Sequence, residues 1–415
     1  MPIAHPLITT LKSLHGNARG VVLTEPLWGI PYNLYAPYVS IYMLALGLTD
    51  AQIGLLASIS LALQIFWTLL SGALTDKLGR KRTTLIFDLL SWSVPCLIWA
   101  VAQDFTYFLV AAIFNSIWQC LLVEDIDPRL LVDIYSWIYI AGLVAAFFSP
   151  LTGLLIARLS LVPTLRGLYL LSFVLMTAKF LIMNEMVTET RQGLIRMRET
   201  QGQSLWAIVG ESWQVLQEVA RTPATLFTGA LLLIVSISSM ISSTFWSILV
   251  TEKLQVPAQY LAIYPIARSM TMLAFFFLVM PRLRHVDVRR PMVFGFVGLV
   301  ITQAILITAP ARSYLLLLVA TILEGCSIPA STTLLDKLIA ISVDPRERAR
   351  IIAILYVAVI ALTAPFGWIA GQLSEINRSL PFVLTFILYG SGGALTYWAT
   401  RLARVRIAAP DAADD

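Results

Sequence analysis

Runs of about twenty apolar residues follow one another from residue 21 to residue 400, separated by short polar breaks. A helix rising 1.5 Å per residue needs about 20 such residues to cross ~30 Å of hydrocarbon. Helices are the expected spans because they satisfy their own backbone groups where no water can. The pattern predicts twelve of them. A first six cover 21–47, 53–74, 83–102, 104–122, 131–157 and 165–184, and a second six cover 224–250, 257–279, 291–309, 314–335, 351–372 and 379–400. The longest polar stretch, 185–222, divides the two sets. Within it, SLWAIVGESWQVLQEVA places Leu205, Ile208, Val209, Trp213, Leu216 and Val219 near one helical face, which reads as a surface helix linking two halves. The expected organisation is a six-helix bundle over 1–184, a central loop with an amphipathic helix over 185–222, a second six-helix bundle over 223–402, and a disordered polar tail over 403–415.

Composition removes the soluble alternatives. The 415 residues are 58% hydrophobic and 13% charged, with mean hydropathy +0.80, against about 45–50% and about 25% in soluble domains. The net charge of +5 is mild and its cations stand in patches between apolar runs, which suits membrane orientation rather than nucleic-acid binding. Roughly 22 of the Lys and Arg residues share one side with both termini, and the positive-inside rule makes that side cytoplasmic. The expected location is an inner or plasma membrane, lipid-embedded, with N- and C-termini inside. The N-terminal segment has no compact apolar core followed by a small-residue cleavage site, so no cleaved signal peptide is expected. Cys96, Cys120 and Cys326 all lie in apolar runs, and without Cys/His spacing they suggest neither a disulfide framework nor zinc. No phosphate-binding loop, paired nucleophile and base, or metal cluster stands out. ATP drive, enzymatic chemistry and cofactors are therefore not expected.

The halves echo each other. Asp-Pro-Arg opens spans 5 and 11, at Asp127 and Asp344, and each is followed by an apolar helix and then a proline and glycine. Asp is a good N-cap and Pro suits the first helical turn, and paired repeats are common in secondary transporters. Between spans 2 and 3 lies GALTDKLGRKR, residues 72–82. Gly72 allows close helix approach and Gly79 the backbone angles of a tight turn. Asp76 can pair with Arg80, while Lys77, Lys81 and Arg82 can face headgroups. The run resembles the loop signature of the major facilitator superfamily. The span count, long central loop and inward termini extend the resemblance over nearly the whole chain. It implies an all-α polytopic fold of twelve transmembrane helices in two pseudo-symmetric six-helix bundles, rocking about a central site. It further implies that Gly72, Asp76, Gly79, Arg80, Lys81 and Arg82 form a gating loop. In that loop Gly72 lets helix 2 approach helix 11, Asp76 faces the positive N-terminus of helix 11 near Pro345–Arg346, and Arg80 holds the Asp76 carboxylate.

Some family markers are absent. The second-half counterpart MPRLRHVDVRR keeps Arg289 and Arg290 without the glycines, and its Asp287 does not align with Asp76, so the latch is expected on one side only. Helix 4 carries Asn115 and Gln119 but lacks the arginine of a signature that many proton-coupled members carry there, and helix 5 reads SPLTG where many drug/proton antiporters have a Gly-Pro with two following glycines, with Ser149 in a glycine's place and only Gly153 kept. The strongest local markers of drug antiport are thus missing.

Ionisable groups at mid-bilayer are costly and point to function. Arg268 and Glu324 stand near the centres of spans 8 and 10, and each costs about 2.5–3.5 kcal/mol if it faces lipid, so both should face the interior. They either form a purely stabilising pair or act in transport, Arg268 on an anionic or polar solute group and Glu324 on a proton. Tyr260, Tyr264 and Arg268 follow at four-residue steps. In span 1, Glu25, Trp28, Tyr32 and Tyr35 share a face with Asn33 beside them, and Pro26, Pro31 and Pro37 can bend it. That aromatic face suits a cavity wall, although Trp28 also fits an interface anchor and Glu25 lies near enough to the inner surface to reach water. Asn115, Gln119 and Trp246 are further candidates. Asp88 and Lys179 are expected near the cytoplasmic face, with Lys179 snorkelling. The reading is a monomeric secondary transporter of a small molecule such as a sugar, organic anion or similar polar or aromatic compound, proton-coupled through Glu324 or Glu25. Efflux of amphipathic drugs is the alternative, and a non-transporting receptor or scaffold of the same fold a lesser one.

Overall fold

Span 1 shows how proline shapes these helices. In the computed structural model, which describes residues 14–116, 128–202, 223–279, 282, 289–342 and 348–408, it is a chain of pieces rather than one rod. These are α1 (Gly16–Thr24), α2 (Pro26–Tyr35), a 3₁₀ turn Ala36–Tyr38 and α3 (Val39–Ala45). Pro26 opens α2, Pro31 lies inside it, and Pro37 sits in the 3₁₀ turn. Each proline removes one N–H from the ladder. Pro37 frees the carbonyl of Asn33, and Ser149 Oγ donates to it at 2.9 Å, while Thr152 Oγ1 donates to Leu34 O at 2.8 Å.

The other first-half elements are α4 (Asp50–Leu78), α5 (Arg80–Asp88), a π segment Leu89–Ser93, α6 (Val94–Ala100), α7 (Phe105–Asn115), α8 (Pro128–Ala145), α9 (Pro150–Leu159), α10 (Leu161–Met186) and α11 (Arg191–Glu199). A capping box starts α4, with Thr49 and Gln52 exchanging side-chain and backbone bonds. The second half holds α12 (Pro223–Ile248), α13 (Ile263–Ala274), α14 (Arg289–Thr308), α15 (Tyr314–Ser342), α16 (Arg348–Ile376) and α17 (Leu380–Ala408). The last helix therefore runs past residue 402, where the sequence suggested that the bundle ends.

Ten helices among the described residues are long and apolar enough to cross a membrane. The proline-broken first span and α7, which stops at the edge of the described residues, account for the other two of the twelve. Their apolar faces look outward: Phe294, Leu315 and Val174 are well exposed, and only 11% of the apolar window in Ala258–Val279 is buried. A protein in water would not leave such surface open; lipid accepts it.

The chain divides into two compact units, Met1–Leu216 with Ala258–Ile263, and Gln217–Pro257 with Tyr264–Asp415. In the first, α10 is the central post, packed by α1, α2, α5, α6 and the π segment. Tyr35, Tyr42, Trp99 and Tyr169 form a connected aromatic core there, with centroids 5.0–6.2 Å apart. In the second, α14 packs against α15 and α17. Gly295 and Gly298 face Ser327 and Ser331, so closely that a Cβ at Gly298 would overlap the Ser327 hydroxyl. Small-residue seams of this kind let helices approach in lipid. Phe296, Leu231, Met292 and Val359 fill the adjoining core.

Candidate functional site

The second unit brings Arg268 and Glu324 together, as their mid-span positions suggested. Arg268 Nη1 lies 3.7 Å from Glu324 Oε2. Gly325 makes this approach feasible, because a Cβ there would stand 3.1 Å from Arg268 O and 2.9 Å from Thr271 Cβ. With no side chain at Gly325, α15 lies against α13, and the residue before it meets the arginine. The pair is longer than a hydrogen bond and lopsided in exposure, with 42% of the Arg268 side chain accessible against 12% for Glu324. Trp246, Tyr264, Pro265 and Thr321 complete the recess around the two charges. Tyr264 is buried and meets Trp246 edge-on, with ring centroids 6.0 Å apart. Tyr260 does not extend the expected stripe: it ends a 3₁₀ turn (Ala258–Tyr260), α13 starts at Ile263, and the Tyr260 ring is exposed.

The aromatic face of span 1 also forms. Trp28 stacks on Tyr32 at 4.8 Å, Trp92 of the π segment meets both rings edge-on, and Tyr32 meets Tyr35 at 5.6 Å. Trp28 is thus part of an interior cluster, not a free interface anchor. Asn33 is occupied with packing: its amide donates to Gly29 O at 2.8 Å and to Gly142 O at 3.5 Å. Asn115 donates to Ser91 O at 2.8 Å, which ties α7 to the π segment. Gln119 lies outside the described residues. Ser149, which stands where drug antiporters carry glycine, has its hydroxyl on the Asn33 carbonyl. Gly153 is a close-approach point, since a Cβ there would overlap the Gln259 carbonyl oxygen.

Two expectations for the first unit are corrected. Lys179 does not snorkel, and Glu25 does not reach water. They pair at 2.9 Å with side chains 10% and 11% exposed. The ammonium also lies 5.7 Å from the centroid of the Trp28 ring. Asp88, the last residue of α5, is buried as well. The interior ion pair outcompetes snorkelling because α10 carries Lys179 directly onto the Glu25 break between α1 and α2.

The 72–82 run is organised as far as its own residues allow. Asp76 Oδ1 accepts from Arg80 Nη1 at 2.8 Å. Gly79 has φ 87°, the left-handed region that separates α4 from α5, and a Cβ there would crowd Glu189 and Met197. Glu189 accepts from the backbone N–H groups of Arg80 (2.8 Å) and Lys81 (3.1 Å), an anionic cap on the α5 N-terminus. The sequence reading missed Glu189 and Arg196. Arg196 of α11 donates to Asp76 Oδ2 through Nη2 (2.9 Å) and Nε (3.2 Å) and to Glu199 through Nη1, and these carboxylates push its already high pKa further up. The Thr190 N-cap and the Arg196/Glu199 spacing were the available signals for this short helix. Among the described residues nothing packs on Gly72, and Pro345–Arg346 lie outside them. No described group of three or more His, Cys, Asp and Glu residues could hold a metal ion.

Comparison with known proteins gives the same fold. Solved structures superpose over nearly the whole chain. The nucleoside transporter NupG matches at TM-score 0.68 and 15% identity, covering 92% of this chain and 97% of its own. A POT family transporter in complex with 5-aminolevulinic acid matches at 0.69 and 10%, covering 94% and 98%. The human organic anion transporter MFSD10 matches at 0.61 and 16%, covering 91% and 98%. No curated protein matches the sequence. The model of the MFS_1 like family matches residues 33–379. The two sets of spans, the Asp76–Arg80 turn and this match converge: the chain is a multi-pass membrane protein of the MFS_1 like family, a transporter of the major facilitator type.

Proposed function

We propose that this transporter moves a small organic solute with an anionic or polar group by alternating access, coupled to protons, with Arg268 as the solute's anchor. One observation carries the reading: a mid-span arginine, 42% exposed, faces its carboxylate partner at 3.7 Å beside Tyr264 and Trp246. Arginine presents a planar fork that matches carboxylate and phosphate geometry. Glu324 holds that fork loosely, so an incoming anion displaces a weak contact rather than a tight one. The rings of Tyr264 and Trp246 supply a flat apolar wall beside it. Glu324 and, in the first unit, Glu25 are the carboxylates suited to carry the coupled proton. The similar structures include a nucleoside transporter, a POT family transporter in complex with 5-aminolevulinic acid and an organic anion transporter, which fits a small polar solute. The protein resides in an inner or plasma membrane with the 72–82 turn and both termini inside, in keeping with the positive-inside rule.

A ligand-stabilisation screen of the purified protein tests this directly. Sugars, carboxylates, nucleosides and short peptides are screened against the parent, Arg268→Ala and Glu324→Gln. Labelled hits are then followed by counterflow in proteoliposomes. The reading expects hits whose stabilisation is lost in Arg268→Ala and which exchange across the bilayer in the parent. Hits confined to amphipathic cations would favour drug efflux instead. Binding without counterflow would favour the receptor.

A further inference from the structure

We propose that the Arg268–Glu324 recess takes a zwitterion, an α-amino acid with a flat or aliphatic side chain, its carboxylate on Arg268 and its ammonium on Glu324. The inference rests on the reading of Arg268 as the solute's anchor and adds what Glu324 selects.

The recess is divided by hydrogen-bonding character. Arg268 comes from α13, and a guanidinium only donates. Glu324 comes from α15, and a carboxylate only accepts. Thr321 stands one turn before it on the same helix. Its hydroxyl donates to Leu317 O at 2.8 Å, which leaves the oxygen lone pairs as further acceptors. Gly325 keeps the donor wall and the acceptor wall in register, because its missing side chain fixes how closely α15 lies to Arg268 O and Thr271. The charged tips stand 3.7 Å apart, too far for a hydrogen bond and near enough for one ligand to reach both. An ammonium and a carboxylate carried on a single carbon present both charges at such a separation.

Counter-charge decides against simpler solutes. A bare anion on Arg268 takes the guanidinium from Glu324. That carboxylate, 12% exposed, then has lost its partner and faces a second anion. A bare cation on Glu324 sets Arg268 against a like charge in the same way. A zwitterion supplies both counter-charges at once, so the pair is compensated in the empty and in the filled recess. The two groups that attract it repel its singly charged analogues, and repulsion of this kind is a source of specificity. Size and shape narrow the class further. The recess holds about 220 Å³, below the about 300–1,000 Å³ of drug-sized sites. Trp246 and Tyr264, edge-on to each other, form its apolar side with Pro265. A flat or aliphatic side chain meets carbon there rather than a charge.

Calorimetry on the purified full-length protein tests this with phenylalanine, tryptophan and leucine. Each is set beside the analogue lacking its ammonium and the analogue lacking its carboxylate; for phenylalanine these are 3-phenylpropionate and 2-phenylethylamine. The expected result is that the parent binds at least one of the amino acids tenfold or more tightly than either of its analogues. Glu324→Gln should lose the preference over the analogue without the ammonium, and Arg268→Ala the preference over the analogue without the carboxylate. The parent comparison needs no variant, so the proposal stays testable should either variant not fold. Binding of the bare anion as tightly as the amino acid, lost in Arg268→Ala, overturns the zwitterion and leaves Arg268 as an anion anchor. Failure of all three amino acids to bind also overturns it, as does a preference that Glu324→Gln retains in full. Parent-like binding by Arg268→Ala removes the anchor reading and this inference together.

Discussion

Among the described residues each unit joins two membrane spans through an acid–base pair, and these two pairs are built differently. Lys179 and Glu25 stand 2.9 Å apart, both about nine-tenths buried, with an aromatic ring beneath the ammonium. Arg268 and Glu324 stand 3.7 Å apart with the arginine 42% exposed. The first pair has satisfied its charges internally and is expensive to open. The second leaves its cation 42% accessible and is cheaper to open. In lipid, where an unpaired charge is costly, that difference separates a pair closed on itself from one with its cation still accessible.

The largest expected effect follows from the closed pair. Lys179→Met strands the buried Glu25 carboxylate, and breaking a buried pair costs about 3–5 kcal/mol. Thermal unfolding in detergent should show that loss as a clearly lower unfolding temperature. The parallel change in the open pair, Glu324→Gln, should move the unfolding temperature far less. Equal losses in the two would erase the contrast between the units.

Next comes Gly325. A valine there forces α13 from α15, and overpacking of this kind costs about 1–3 kcal/mol. It should also abolish solute stabilisation by parting Arg268 from Glu324, measured in the same ligand screen. A smaller effect is expected at the 72–82 turn. Asp76→Asn removes the acceptor charge shared by Arg80 and Arg196 and should cost about 1.5 kcal/mol, since the bonds are charge-assisted but partly exposed. Hydrogen exchange over Arg191–Glu199 should accelerate, while the Arg268 recess is unaffected. Smallest is Ser149→Ala, about 1 kcal/mol for the lost bond to the Asn33 carbonyl that Pro37 leaves free, read as a lower unfolding temperature with solute binding retained.

The sequence was most informative where the physics is local. Span positions follow from hydropathy, the break points of span 1 from Pro26 and Pro37, and the Asp76–Arg80 pair from helical spacing across one turn. Arg268 and Glu324 were legible as interior charges because a mid-span charge has few other options. The Glu25–Lys179 pair was not, since it joins residues 154 apart in sequence, and Lys179 near a span end fits snorkelling equally well. Arg196 was hidden for a related reason. Nothing in a short polar helix says which carboxylate it will meet, and the positive dipole of helix 11 offered a plausible partner for Asp76. Asn33 and Asn115 looked like site residues because amides in membrane spans need partners; their partners turned out to be backbone carbonyls, those of Gly29 and Gly142 for Asn33 and of Ser91 for Asn115.

The central claim is that the open pair in the second unit is where solute binds. It is tested most directly by titrating a screened hit into parent and Arg268→Ala protein by calorimetry, with Lys179→Met as the comparison. The account predicts at least a tenfold loss of affinity in Arg268→Ala, about 1.4 kcal/mol or more, and a much smaller change in Lys179→Met. Parent-like binding of every hit by Arg268→Ala would contradict it.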